Sequence, residues 1–296
     1  MQPGTFRELA RGFYLEGLAF DHARQAIWYS DVIGGGIHGV RLDGSKIATL
    51  NSDRKWTGGV MLNHDGAVLS SGQHGIMWNQ PETGASGWLL NEIAGLPING
   101  INEMMPDGTG GIVFGTVDLD MIIQGKETRG AALYRLGTDG TVTRIWDQIG
   151  FANGIMYDAA RRKLYCNDTF RCCWSFDVDT DFSLSNQHKL LDKDDVDGMA
   201  LDSEGNLWIT GFRSGKITRI TPEGVVLEPV QTPDGPVTQI RFGGADACDY
   251  VITAVPRGSG DALKDGGEIK QPQSVLYHGR SDSPGMKIEP AGFTLR

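Results

Sequence analysis

A short pattern recurs six times along the 296 residues: a small polar start, an apolar run, a turn built on Asp or Gly, and a second apolar run. The copies are EGLAFDHARQAIWYSD from Glu16, GGVMLNHDGAVLSSG from Gly58, NEMMPDGTGGIVFGT from Asn102, NGIMYDAARRKLYCND from Asn153, DGMALDSEGNLWITG from Asp197 and TQIRFGGADACDYVITA from Thr238. Successive starts are 42, 44, 51, 44 and 41 residues apart. A unit of roughly 40–50 residues with several short strands is the repeat of a four-stranded propeller blade. Asp-Gly turns between strands that alternate or run apolar are hairpin chemistry. The six units fill the chain, so the expectation is an all-β, six-bladed β-propeller forming one domain over residues 1–296. Trp28, Phe114 and Trp208 occupy matching strand positions and are predicted to pack between blades. Stretches 5–14 and 287–295 fall outside the units. They are expected to pair with each other and so remove a free sheet edge.

Charge narrows the partners. The formal net charge is −10 and no basic stripe is visible, which excludes a nucleic-acid surface. No apolar stretch approaches the ~20 residues of a membrane span, and no signal peptide is evident. The four cysteines, Cys166, Cys172, Cys173 and Cys248, lack paired metal-ligand spacing, and an adjacent pair is poor disulfide material. A reducing cytoplasm is the expected compartment, and a monomer or weak homo-oligomer the expected state.

The first strand of a blade lines the propeller axis, so the six repeat starts should form a ring. Glu16, Asn102, Asn153 and Asp197 carry oxygen donors at four of those six positions; Gly58 and Thr238 do not offer strong ligands. Two carboxylates and two amide oxygens gathered at one point repel one another unless a cation joins them. The set suits one hard divalent ion such as Ca²⁺, Mg²⁺ or Mn²⁺. Zn²⁺ or Fe²⁺ could also occupy it, although no His or Cys stands in the ring. Read singly, Asn-Gly and Asp-Gly pairs are also ordinary turn formers.

The segments EGLAFD, Asn102 to Thr116, ANGIMYD with KLYCNDTF, and DGMALDSEGNLWITGFRSGKITRITPEG resemble the senescence marker protein-30/gluconolactonase/luciferin-regenerating enzyme family, regucalcin-like members included. The resemblance runs from about Phe13 to Ala254. It implies a six-bladed propeller with a single divalent metal, Ca²⁺ foremost, and lactone hydrolysis. It also implies metal ligands at Glu16, Asn153 and Asp197, with Asn102 as a ligand or a substrate and water contact. Sugar-lactone members often carry an Arg two residues before the third-blade Asn. Here Gly100 stands there, and Met121, Ile122 and Ile123 replace polar groups on the following loop. Both changes remove grips on a polyhydroxy substrate and point to a less polar lactone or ester.

On this reading Asp197 is both ligand and general base, Asn102 assists catalysis, and Glu16 fixes the ion. Substrate selection is expected from loops between second and third strands, at 31–37, 71–75, 117–131, 168–172, 211–215 and 254–273. Their candidate contacts are His74, Met121, Phe170, Arg171, Phe212 and Arg213. The competing readings are a phosphotriesterase-like hydrolase, an isomerase or a lyase on the same site, and a non-catalytic calcium-binding regulator.

Overall fold

The computed structural model describes residues 5–124, 126, 130–233, 235–264 and 268–296. Its strands form a six-bladed β-propeller. The inner strands of the blades are Leu15–Asp21, Thr57–Leu62, Gly100–Pro106, Ala152–Asp158, Val196–Leu201 and Val237–Gly243. Each pairs antiparallel with the next strand in sequence, and the blades grow outward as simple meanders. Blade 5 has three strands, Val196–Leu201, Leu207–Gly211 and Ile217–Ile220; isolated bridges from Ile217 to Val230 and Ile220 to Val226 stand where a fourth would lie.

The inner strands are almost wholly buried because both faces pack against neighbouring blades. Trp28, Phe114 and Trp208 sit between blades as the repeat predicts, at 0–3% exposure. The two indoles also place Nε1 on buried carboxylates, Trp28 on Asp21 at 3.0 Å and Trp208 on Asp202 at 3.1 Å. Asp21 ends its inner strand, Asp202 directly follows one, and each caps the turn beyond it. One side chain thereby satisfies both the turn and the buried ring nitrogen.

Closure differs from the expectation. Strand Phe6–Gly12 pairs not with 287–295 but with Ser274–Arg280, becoming the outer strand of blade 6. Residues 287–295 instead cross the lower face of the ring. Met286 N–H donates to Leu201 of blade 5, Ala291 N–H to Leu62 of blade 2, and Gly292 N–H to Gly110 of blade 3. Phe293 and Asn63 exchange two hydrogen bonds of 2.9 Å. The reason is apolar: Ala291 and Phe293 are buried against the cluster of blades 2 and 3, and Met286 and Ile288 pack on that of blades 4 and 5. An edge strand would have left those side chains in water.

All four cysteines are free thiols, three of them buried. Among the described residues no helix is long and apolar enough to cross a membrane.

Candidate metal centre and its cavity

Every inner strand slips out of register at the repeat start. Pairing with the second strand jumps between Leu15 and Leu18, Thr57 and Val60, Ile101 and Met104, Ala152 and Ile155, Val196 and Met199, and Val237 and Gln239. These are β-bulges, which bend a strand and re-aim its side chains. In blades 1 to 5 the two bulged residues are 16–17, 58–59, 102–103, 153–154 and 197–198. The blades meet closely here: a Cβ on Gly17 would lie 2.1 Å from the carbonyl oxygen of Gly58, and one on Gly154 would lie 2.7 Å from that of Asp197. Glycine after the ring residue is therefore a packing requirement, beyond its use in turns.

The bulges bring Glu16, Asn102, Asn153 and Asp197 to one cavity of about 330 Å³ at the upper end of the axis. Asn153 and Asp197 are buried; Glu16 and Asn102 keep partial exposure. Asn153 hydrogen-bonds Asp197, yet Asp197 Oδ1 is buried with no partner. Asn102 Nδ2 donates to the Ala152 carbonyl at 3.1 Å, so Oδ1 is the atom it has left to offer. Burial pushes the Glu16 carboxyl up to about 8, and the charge of Glu103 adds to this. Asp197 is raised well above the usual carboxylate range, first by burial and then by Glu16 and Glu103. Two carboxyls that resist ionisation beside a buried oxygen lacking a donor form a set that a hard cation would complete. Among the described residues no three His, Cys, Asp or Glu side chains gather as a metal-holding group. A cation here would rely on the two amide oxygens as well as the two carboxylates.

The wall above is apolar. Tyr14, Trp56 and Phe151 come from links between blades, each two residues before a ring position. Phe170 and Phe212 follow second strands, with ring centroids 5.6 Å apart, and Phe151 meets Phe170 edge-on at 6.1 Å. Leu119 and Ile122 belong to the short helix Leu119–Ile123, whose Asp118 side chain caps it through Met121 N–H at 3.0 Å. Leu263 and Gly260 belong to a second helix, Ser259–Lys264, and the two helices touch over the cavity. Lys126 and Thr169 complete the lining.

Of the predicted substrate contacts, Phe170 and Phe212 line the cavity; His74, Met121, Arg171 and Arg213 do not. His74 is exposed in a turn at φ +68°. Met121 lies on the helix that supplies Leu119 and Ile122 but is not part of the lining. Arg171 is exposed, reaching Asp168 and the Gln148 carbonyl at 3.3 Å each. Arg213 braces the wall from behind: its guanidinium sits 4.9 Å from the Phe212 ring and 5.6 Å from that of Phe170, and it pairs with Asp194 and Asp261. Long cationic side chains keep their heads in water while covering apolar surface.

Below the ring, a second polar group crosses the axis. Glu103 Oε2 accepts from Gln239 Nε2 at 2.5 Å and from Arg241 at 3.3 Å. Arg241 Nη1 also donates to the carbonyls of Met199 and Ile240 and to Gln239 Oε1. Sequence reasoning missed this group and the aromatic residues of the blade links.

Residues 15–255 match the family model of the SMP-30/Gluconolactonase/LRE-like region. Regucalcin of Danio rerio is 33% identical over 171 residues, 55% of this chain and 57% of that protein. A pentonolactonase of Haloferax volcanii is 30% identical over 171 residues, 54% of this chain and 55% of that protein. The chain thus matches these relatives over little more than half their length. A solved luciferin-regenerating enzyme superposes with a TM-score of 0.80 at 21% identity, covering 99% of this chain and 100% of that one. That likeness is one of fold. The repeat, the propeller and the family match together make this chain a member of the SMP-30/gluconolactonase/LRE-like family.

Proposed function

We propose that this protein is a divalent-metal-dependent hydrolase that opens a lactone or related ester less polar than a sugar acid lactone. The observation that carries the reading is one cavity with two chemistries: an oxygen-bearing floor of Glu16, Asn102, Asn153 and Asp197 under a wall of Tyr14, Trp56, Phe151, Phe170 and Phe212. The pentonolactonase relative supports a lactone substrate class, and a regucalcin solved as a calcium-binding protein supports Ca²⁺ as the first ion to test.

Glu16, Asn102, Asn153 and Asp197 would hold the ion. When bound, a divalent cation supplies Lewis acidity for the ester carbonyl and a lower pKa for water. The chain's own residues do the rest. Asp197 Oδ1, buried without a partner, takes the proton released as water attacks. Asn153 holds the Asp197 carboxylate in place through their hydrogen bond. Asn102, on the same floor, orients the substrate carbonyl. The aromatic wall binds the apolar part of the substrate and excludes bulk water, which strengthens every charge interaction at the floor.

The test is a pH-indicator assay on a panel of sugar, aliphatic and aryl lactones and esters. It is run with Ca²⁺, Mg²⁺, Mn²⁺, Zn²⁺ or Fe²⁺, before and after chelation. Metal-dependent turnover that favours apolar members is expected. Metal binding with no turnover across the panel would overturn the reading in favour of a non-catalytic calcium binder, and equal activity after chelation would remove the metal from it.

A further inference from the structure

A bulge takes the ring residue out of the sheet ladder, so its carbonyl must find a donor elsewhere. That donor comes from the neighbouring blade. Ser30 Oγ donates to the Gly58 carbonyl at 2.8 Å, Ser71 Oγ to Asn102 at 2.9 Å, Asn167 Nδ2 to Asp197 at 2.7 Å, Thr210 Oγ1 to Thr238 at 3.0 Å, and Thr253 Oγ1 to Glu16 at 3.4 Å. Each donor stands on a second strand, level with its own blade's bulge, and each is fully buried. Water cannot replace it. Five of the six joints between blades are built this way.

The sixth joint explains itself. In blade 3 the residue facing the bulge is Gly115, where a Cβ would lie 2.1 Å from that of Ala152. With no side chain available there, Asn102 itself spans to blade 4 through the Ala152 carbonyl. Thr116, one position along, bonds only within its own blade, to Ala132.

We propose that Ser71, Asn167 and Thr253 are positioning residues of the metal centre. They hold the main chain from which Asn102, Asp197 and Glu16 extend, and so fix the spacing of the floor across blade boundaries. The inference rests on the reading of those side chains as a cation site. Asn167 has the largest role, because its amide also reaches the Gly198 carbonyl at 3.3 Å and clasps both bulged residues of blade 5. Thr116 is the matched control: a second-strand threonine with the same kind of bond but no ring residue as partner.

The experiment measures affinity by calorimetry for whichever of Ca²⁺, Mg²⁺, Mn²⁺, Zn²⁺ and Fe²⁺ the wild type binds most tightly, together with Tm in chelator. The variants are Asn167→Leu, Ser71→Ala, Thr253→Val, Thr253→Ser and Thr116→Val. Groups that orient ligands typically change metal affinity by about 10–100-fold when removed. The expected result is a loss of that size for Asn167→Leu, Ser71→Ala and Thr253→Val, and recovery in Thr253→Ser. Thr116→Val should lower Tm by a few degrees and keep wild-type affinity within about twofold. Should Asn167→Leu fail to fold, the Thr253 pair against Thr116→Val decides. Affinities unchanged in all variants would overturn the positioning role and leave the metal site standing. A wild type that binds none of the five ions would overturn the metal site, and the positioning role with it.

Discussion

The propeller axis carries carboxylates at two levels, and the chain treats them differently. At the lower level Glu103 has a cation of its own: Arg241 and Gln239 close on it, and the guanidinium ties it to carbonyls of blades 5 and 6. At the upper level, among the described residues, no Arg or Lys makes a salt bridge with Glu16 or Asp197. The nearby Lys193 is bound to Asp195. Burying an ion without a counter-charge costs several kcal/mol; Glu103 avoids that cost through Arg241, whereas Glu16 and Asp197, held towards their protonated forms by burial, are the pair on which the proposed cation would act. The lower group is a structural pair, and the upper one is where the proposed chemistry would take place.

Three experiments break or sharpen that contrast. The largest effect is expected at the upper level: Asp197→Asn should keep the fold by circular dichroism and lower kcat by about 10³-fold or more, the scale of a lost general base. Full turnover in this variant would remove the proposed proton acceptor. Next, Arg241→Met leaves Glu103 buried without a counter-charge. Denaturant unfolding should register a loss of about 3–5 kcal/mol, and a change under 1 kcal/mol would mean that the lower level is not a structural pair. The third effect is gentler and has the opposite sign. In metal-free protein the Glu16 carboxyl, raised to about 8 by burial and then Glu103, holds a proton that the unfolded chain releases near 4.5. The unfolded state therefore gains by ionising first. The Glu16 contribution to the stability of the metal-free protein should fall as pH rises from about 4.5 to about 8, and Asp197, also raised, adds a decline of the same sign. Glu16→Gln should make the combined decline shallower while weakening metal affinity; an unchanged pH profile together with unchanged calorimetry would take Glu16 out of the centre.

Much of this was legible in the sequence because a propeller repeats its geometry. The 41–51-residue period marks the blades, and equivalence of the repeat starts is enough to gather Glu16, Asn102, Asn153 and Asp197. The lower group was also written there, though as an exception. Gly17, Gly59, Gly154 and Gly198 follow the ring residue in four blades, whereas Glu103 and Gln239 follow it in the other two. A side chain where the repeat demands none has only the axis to enter. The wall was readable in the same way, since Tyr14, Trp56 and Phe151 all stand two residues before a ring position. What repeat logic could not supply was side-chain reach in the loops. Arg171 and Arg213 share loops with true lining residues, but local partners turn them aside: Asp168 and the Gln148 carbonyl for Arg171, Asp194, Asp261 and the Phe212 ring for Arg213. Nor could it tell that 287–295 would cross the lower face. That path is set by apolar contacts with two separate clusters, which no edge pairing would satisfy.

Because Phe6–Gly12 closes on Ser274–Arg280, partners such as Gly12 and Ser274 come from opposite ends of the described chain. The hoop is clasped by two widely separated stretches of the same cord. Blades 1 to 5 can form from neighbouring sequence, but the clasp fastens only after the sequence of all five has been synthesised. Pairing over such a separation is slow. Until it fastens, blades 1 and 6 present open flanks, and Glu16 lacks the Thr253 side chain that joins it to blade 6. On the proposed reading of the ring as a cation site, competence for metal is the last property the folding chain acquires.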